Sequence, residues 1–409
     1  MAERADTYTR WAVIASGEGG NRIASRMHVR DLPAVDDRVL LMNTARPDIR
    51  GTIDRVTEEL PDGGETLEDH AIIFGSRQGA GNDFELGRRY AEEDFDTIVG
   101  GISDAALAEA FMHVTTLGGG TGSGSIPYVV ERFKSGDLGQ NHQLWMDDVV
   151  HMAMGIWPYY DEPSHRHFNA ICGLSRLLRM PDGAQNADMV LLAANSQIVS
   201  NANRADKQDE MRDNRMVNEQ LTTAFELMTE AGREMDGGVI DVQDYVQIPS
   251  QIGAYHFTPA VATGQKGSVI NPEFMFDTAA NNAFVPLDVG TTRVAYAVVR
   301  APERLIGQRE FTPSGVERAF MDWKRTHGLD GVQGMTTLTS KPDGRDEVDV
   351  LLLLGGFDLD PLLDHSRDGF DQHRRSLDAG SRLGETSLSA SQLDRLESNL
   401  NEYLDRPEV

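Results

Sequence analysis

The residues best suited to do chemistry are Gly118-Gly119-Gly120-Thr121-Gly122-Ser123-Gly124-Ser125, which follow Leu117 at the end of an apolar run. Glycine lets a backbone approach a ligand closely, and successive N–H groups at the start of a helix attract anions. Thr121, Ser123 and Ser125 add hydroxyl donors. A diphosphate or triphosphate is the natural occupant. A flexible linker would not lie between an apolar strand and an amphipathic helix, which the pattern predicts over Ile126–Lys134.

Two common phosphate loops do not fit. The pattern G-x-x-x-x-G-K-[ST] fails, because only Lys134 precedes a Ser or Thr and the residue before it is Phe133. The pattern G-x-G-x-x-G fails after the first strand, where Gly17-Glu18-Gly19-Gly20-Asn21-Arg22 has arginine in place of the third glycine. Phosphate charge would then be met by backbone amides and Mg²⁺.

The elements that must position these loops are βα units. Short apolar runs at Trp11–Ser16, Arg38–Asn43, Ala71–Phe74, Met112–Leu117, Val149–Ile156 and Met189–Ala194 read as parallel strands. Each ends at a glycine, asparagine or proline-bearing loop, and ligands of open α/β sheets sit beyond such carboxyl ends. A long helical pattern runs from about Met211 to Met235, with Val217, Leu221, Phe225, Leu227 and Met228 apolar, and Gly237-Gly238 should stop it. Further strands are predicted at Gly253–Ala262, Arg293–Arg300 and Val348–Leu354, with a helix over Pro313–Thr326. The expected division is 1–210, 211–238 as a central helix, 239–365, and an acidic polar tail over 366–409. Within the tail Leu393, Leu396, Leu400 and Tyr403 share a helical face. That face could dock on its own protein or on a partner.

The composition sets the outer limits. The 409 residues suffice for about two domains. A net charge of −27 excludes nucleic acid as an expected partner. The five lysines (134, 207, 266, 324, 341) leave nearly all positive charge to arginine. High acidity with few lysines resembles proteins of salt-in halophiles. The single Cys172 provides no disulfide framework and reads as a core residue. No segment approaches the ~20 apolar residues that span a bilayer, and Met1–Asp6 has no signal-peptide stretch, so no transmembrane segment and a cytoplasmic location are expected. His165 and His167 with His142 or His151 lack a metal-ligand spacing and read as surface histidines.

The run over 118–124 resembles the signature of the tubulin/FtsZ superfamily, and the other strand-end loops resemble that superfamily in order. Gly17, Glu18, Gly19, Gly20 and Asn21 are similar to its first phosphate loop, followed by a helix over Arg22–Val29. Asn43-Thr44-Ala45-Arg46-Pro47-Asp48 resembles the N-T-A-x-x-D form of the archaeal CetZ family. Gly79, Ala80, Gly81 and Asn82 look like the loop that faces the γ-phosphate. The acids after it, Asp83 and Glu85, are candidates either to hold Mg²⁺ through water or to form a solvated helix start. Glu162 and Arg166 match the ribose-contacting pair. Asn195 and Asn218 match the two asparagines that read guanine, for which an amide that both donates and accepts is apt. Asp241 and Asp244 resemble the D-x-x-E acids of CetZ that reach the next subunit's nucleotide. They would also suit the start of a helix over Val242–Ile248.

The resemblance implies an α/β fold. Its parts are a Rossmann-like parallel-sheet GTPase domain, a long central helix and a second α+β domain with a mixed sheet. It implies GTP/GDP with Mg²⁺, head-to-tail self-assembly into filaments, and a role in cell shape or division. Other tubulin-like proteins would be partners through the tail. Two departures, Asn214 where the superfamily has an aromatic and the charged Glu18, motivate an alternative: a non-polymerising or hydrolysis-poor regulator that binds nucleotide or a partner filament.

Overall fold

A computed structural model describes residues 9–104, 108–136, 138, 149–203, 210–232, 239–266, 272–308, 311–342, 346–378 and 388–405. The chain forms two compact units, one of residues 10–190 with 359–409, the other of 191–358 joined by Thr9.

The first unit opens with β1 (Trp11–Ser16), α1 (Gly17–Val29), β2 (Val39–Asn43), α2 (Arg46–Glu59), α3 (Pro61–Asp69) and β3 (Ala71–Ile73). It continues through α4 (Phe84–Glu93), α5 (Phe95–Asp104), β4 (Ala110–Thr116), α6 (Thr121–Lys134), β5 (Val150–Trp157) and α7 (Ser164–Leu178). The strands lie in the order β3-β2-β1-β4-β5, and every neighbouring pair is parallel. Strands β1, β2 and β5 are buried along their whole length, because helices cover both faces of a parallel sheet and leave no wet side. This explains why their sequences are continuous apolar runs instead of alternating ones.

With β6 (Met189–Ala194) the chain passes from one unit to the other. The second unit then holds α8 (Asn195–Asn203), α9 (Glu210–Glu230), α10 (Asp244–Ile252), β7 (His256–Lys266) and α11 (Pro272–Ala280). It ends with β8 (Val294–Pro302), α12 (Pro313–Thr326), β9 (Thr336–Lys341) and β10 (Glu347–Gly355). The order β7-β10-β8-β9 is mixed: β10 runs antiparallel to β7 and β8, while β8 and β9 are parallel. Phe276, Phe320 and Trp323 of α11 and α12 pack on its apolar face. The long helix ends at Glu230, short of the expected Met235, and Gly237-Gly238 lie outside the described residues. Strand β9 was not expected. Its run Thr-Thr-Leu-Thr-Ser-Lys offers β-branched residues but a single large apolar side chain.

The chain then returns to the first unit with α13 (Asp360–Asp378) and α14 (Ala390–Leu404). Residues 366–409 were expected as a polar tail with a candidate amphipathic helix, yet the helices described there are packed structure. Phe370 of α13 stacks on Phe168 of α7 at 5.3 Å, and Trp157 Nε1 donates to Ser366 Oγ at 2.9 Å. Ser389 and Gln392 form a reciprocal cap at the start of α14. Leu393, Leu396, Leu400 and Tyr403 are buried. Ser175 Oγ of α7 donates to the Leu396 carbonyl at 2.6 Å, and Asn399 Nδ2 donates to the Met180 carbonyl at 2.9 Å. The apolar face therefore docks on its own protein and is not free for a partner. No helix of the described residues is long and apolar enough to cross a membrane.

Candidate functional site

The strand order of the first unit reverses between β1 and β4, so helices α1 and α6 leave the carboxyl ends of adjacent parallel strands. Such a switch point is where open α/β sheets bind ligands. The glycine run begins α6 itself: the helix starts at Thr121, five residues before the expected Ile126. Gly17, at a φ of +78°, starts α1 in the same way. The two helix starts touch. A Cβ on Gly17 would lie 3.2 Å from the Gly122 nitrogen, and one on Gly122 would lie 2.5 Å from the Ser16 carbonyl oxygen. Only glycine permits that approach, and it brings two sets of unpaired N–H groups to one place. Two helix N-termini so joined attract an anion of high charge.

The hydroxyls do something other than expected. Ser123 and Ser125 are buried. Ser123 Oγ donates to the Leu117 carbonyl at 2.8 Å and contacts that of Gly119, while Ser125 Oγ pairs with Ser16 Oγ at 2.7 Å. Their hydroxyls brace the turn and are not offered to a ligand. Thr121 Oγ1 meets Thr44 Oγ1 at 2.7 Å, which ties the loop after β2 to the glycine run.

The loop 79–82 joins the same cluster. Gly79, Gly81 and Asn82 all have positive φ, and Gly79 N donates to the Thr44 carbonyl at 2.9 Å. Ala80 is buried. The Asn82 carbonyl accepts from Asn169 Nδ2 at 2.7 Å, and the same nitrogen lies 3.3 Å from the Gly118 carbonyl and 3.4 Å from that of Gly119. Asn169, buried on α7, therefore stitches two ligand loops together. Sequence reasoning passed over it because nothing local distinguishes it from any helical asparagine.

The acids sort themselves by partner. Glu18 pairs with Arg22 one turn along α1, so its charge near the site is compensated. Asn43 is buried; its Oδ1 accepts from Ala45 N at 3.1 Å and its Nδ2 reaches Asp48 Oδ2 at 3.4 Å. Burial, then Glu18, pushes the Asp48 carboxyl above its ordinary value. Asp83 caps α4 by accepting from Leu86 N at 3.0 Å. Glu85 is buried against Arg88 at 2.8 Å, so the expected solvated or Mg²⁺-facing role does not hold for it. Among the described residues no three His, Cys, Asp or Glu side chains gather to hold a metal alone. The donor set suits Mg²⁺ carried mainly by phosphate oxygens and water.

Glu162 and Arg166 form an ion pair at 3.0 Å at the start of α7. A Cβ on Gly118 would lie 3.3 Å from the Arg166 Cβ, so the pair borders the glycine run. The remaining predicted residues belong to the second unit. Asn195 opens α8 and Asn218 lies on α9, both half-buried. Asp241 Oδ1 accepts from Gln243 N at 2.8 Å and Asp244 N at 3.0 Å, while Asp244 Oδ2 accepts from Asp241 N at 3.0 Å. The two acids thus bond reciprocally across the turn that leads into α10. Asp241 is exposed and Asp244 half-buried.

His151 and His167 are not surface histidines. His151 Nδ1 faces His113 Nε2 at 3.1 Å inside the sheet, and His167 Nδ1 meets Ser366 Oγ at 2.8 Å. His142 lies outside the described residues. Cys172 is buried, and burial raises its thiol pKa far above the ordinary range.

The Tubulin/FtsZ family, GTPase domain, matches residues 10–203. The tubulin-like protein CetZ1 of Haloferax volcanii is 26% identical over 235 residues, 55% of this chain and 51% of that protein. In sequence, then, the chain spans about half the length of that relative. Two solved structures share the fold. CetZ1 from Haloferax volcanii, a GDP-bound monomer, superposes with a TM-score of 0.69 at 20% identity, covering 90% of this chain and 100% of that one. CetZ2 from the same organism, a GTPγS-bound protofilament, superposes with 0.68 at 21% identity over the same shares.

Proposed function

We propose that this chain, which carries the GTPase domain of the Tubulin/FtsZ family over residues 10–203, is a cytoskeletal GTPase that binds GTP and assembles head to tail. The observation that carries the reading is the contact of the α1 and α6 starts at the β1/β4 switch point. In this reading the N–H groups of Gly17–Asn21 and Gly118–Gly124 hold the phosphates, and Gly79–Asn82 covers the γ-phosphate. Glu162 and Arg166 take the ribose, and Asn195 and Asn218 read guanine. Mg²⁺, when bound, neutralises phosphate charge. Asp241 and Asp244 of the next copy orient water for phosphoryl transfer, a reaction in which positioning and electrostatics do most of the work. A heterologous contact of this kind does not close, so it grows filaments. The relative solved as a protofilament supports the assembly part. A cytoplasmic role in cell shape or division belongs to the same proposal.

The test is light scattering and phosphate release with GTP at high salt. Assembly with turnover is expected. Asp244→Ala should bind GTP but lose turnover, and Asp244→Asn, which keeps an acceptor for the Asp241 N–H, should lose it too. Turnover persisting in both would remove the loop from the mechanism. Absence of assembly, with stability unchanged by GTP, would favour the regulator reading that the exposed Asn214 motivates.

A further inference from the structure

Helices α4, α6, α7 and α14 of the first unit line a second cavity of about 300 Å³. Four arginines face it, Arg88, Arg132, Arg176 and Arg395, in a chain whose net charge is −27. They are not equivalent. Arg88 is already held by Glu85 at 2.8 Å and Glu92 at 3.1 Å. Arg132 lies over the rings of Phe95 and Tyr128, at 4.8 and 5.9 Å. Among the described residues neither Arg176 nor Arg395 has an ion-pair partner. Arg176 is half-buried, and its Nη1 is closed off from solvent with no acceptor among the described residues. Burial lowers its pKa while raising that of Glu131, which lines the same cavity without joining it in an ion pair.

A desolvated guanidinium without an acceptor is costly, and the nearby charges of Glu131 and Glu85 still leave the Arg176 pKa below its ordinary value. A bound anion would offset that cost. The planar guanidinium fork matches a carboxylate or phosphate, and the volume exceeds what a bare oxyanion fills. Tyr128 supplies an apolar wall. Of the glycine run only Gly124 reaches this cavity, so it is distinct from the phosphate site. We propose that the cavity binds a small organic anion, a phosphate monoester or carboxylate with a compact apolar body, whose charge is gripped by Arg176 and Arg395.

The experiment measures calorimetric binding and thermal unfolding of the full chain with phenyl phosphate, benzoate and inorganic phosphate at constant ionic strength. Phenyl phosphate or benzoate is expected to bind more tightly than inorganic phosphate and to raise the melting temperature. Arg176→Met and the exposed Arg395→Glu should each weaken that binding about tenfold or more. Both leave the glycine run intact, so any probe entering it would bind them unchanged. Without ligand, Arg176→Met should melt no lower than the parent, since it removes an unpaired buried charge. If Arg176→Met is less stable for packing reasons, Arg395→Glu still decides. Unchanged binding in Arg395→Glu, or no binding by the parent chain at millimolar probe, overturns the proposal.

Discussion

Asn169 shows how much a single amide can organise. Its Nδ2 spans from the Asn82 carbonyl to those of Gly118 and Gly119, joining loops that lie 36 to 37 residues apart in the chain (118 − 82 and 119 − 82). Asn169→Ala leaves the buried Gly118 carbonyl and the part-buried Asn82 and Gly119 carbonyls short of a donor, a loss of about 1–3 kcal/mol. Urea unfolding should show that loss, and nucleotide affinity should fall with it. An unchanged midpoint would mean the loops are held elsewhere. A second residue-scale expectation concerns pH. His256, buried with Nε2 at 2.7 Å from the Phe357 carbonyl, has its pKa lowered to about 4 by burial. The unfolded value is near 6.5. Above that value both states are neutral and stability is unaffected. Between 6.5 and about 4 the unfolded chain takes up a proton that the folded chain refuses, so stability falls as pH falls, by up to about 3 kcal/mol. His256→Asn should flatten that part of the stability profile; an equally steep profile would assign the slope to other groups.

At the scale of elements, α14 changes the account of the chain's end. The leucine spacing predicted an amphipathic face correctly, but a face does not name its partner. The partner is α7, through Ser175 and through the buried Leu396. Leu396→Ala should therefore destabilise the first unit by about 2–5 kcal/mol, the range for a fully buried leucine. Thermal or denaturant melting would read it, and a neutral result would return α14 to the status of a loose tail. The same scale explains the glycine run. It was legible as a loop before a helix, whereas the helix begins within it, at Thr121. Glycine is a poor helix former, so local propensity hides a helix start that tertiary contact imposes.

For the whole molecule the charge of −27 is the dominant fact. Self-repulsion acts over about 10 Å at 0.1 M salt and about 3 Å at 1 M. The melting temperature should thus rise as KCl is raised from about 0.1 M to about 3 M, and assembly with GTP should need the higher salt. A flat or falling melting curve would separate this chain from the salt-adapted class its composition resembles.

By itself the sequence determined the elements whose apolar pattern is unambiguous. Strands β1 and β6, buried along their whole length, fall where the apolar runs place them, and the amphipathic α12 starts at Pro313 and ends at Thr326 as read. It also predicted a phosphate site at the run 118–125, because glycine and hydroxyl residues after a strand restrict the chemistry severely. Tertiary structure alone decided which groups remain available. It turned the Ser123 and Ser125 hydroxyls inward, paired Glu85 with Arg88 and Glu18 with Arg22, and buried His151 and His167. Among the described residues it left Arg176 Nη1 without an acceptor. The physical reason is that burial and partnership are set by residues distant in the chain. A residue's type says what it can bond, and only the fold says what it already bonds.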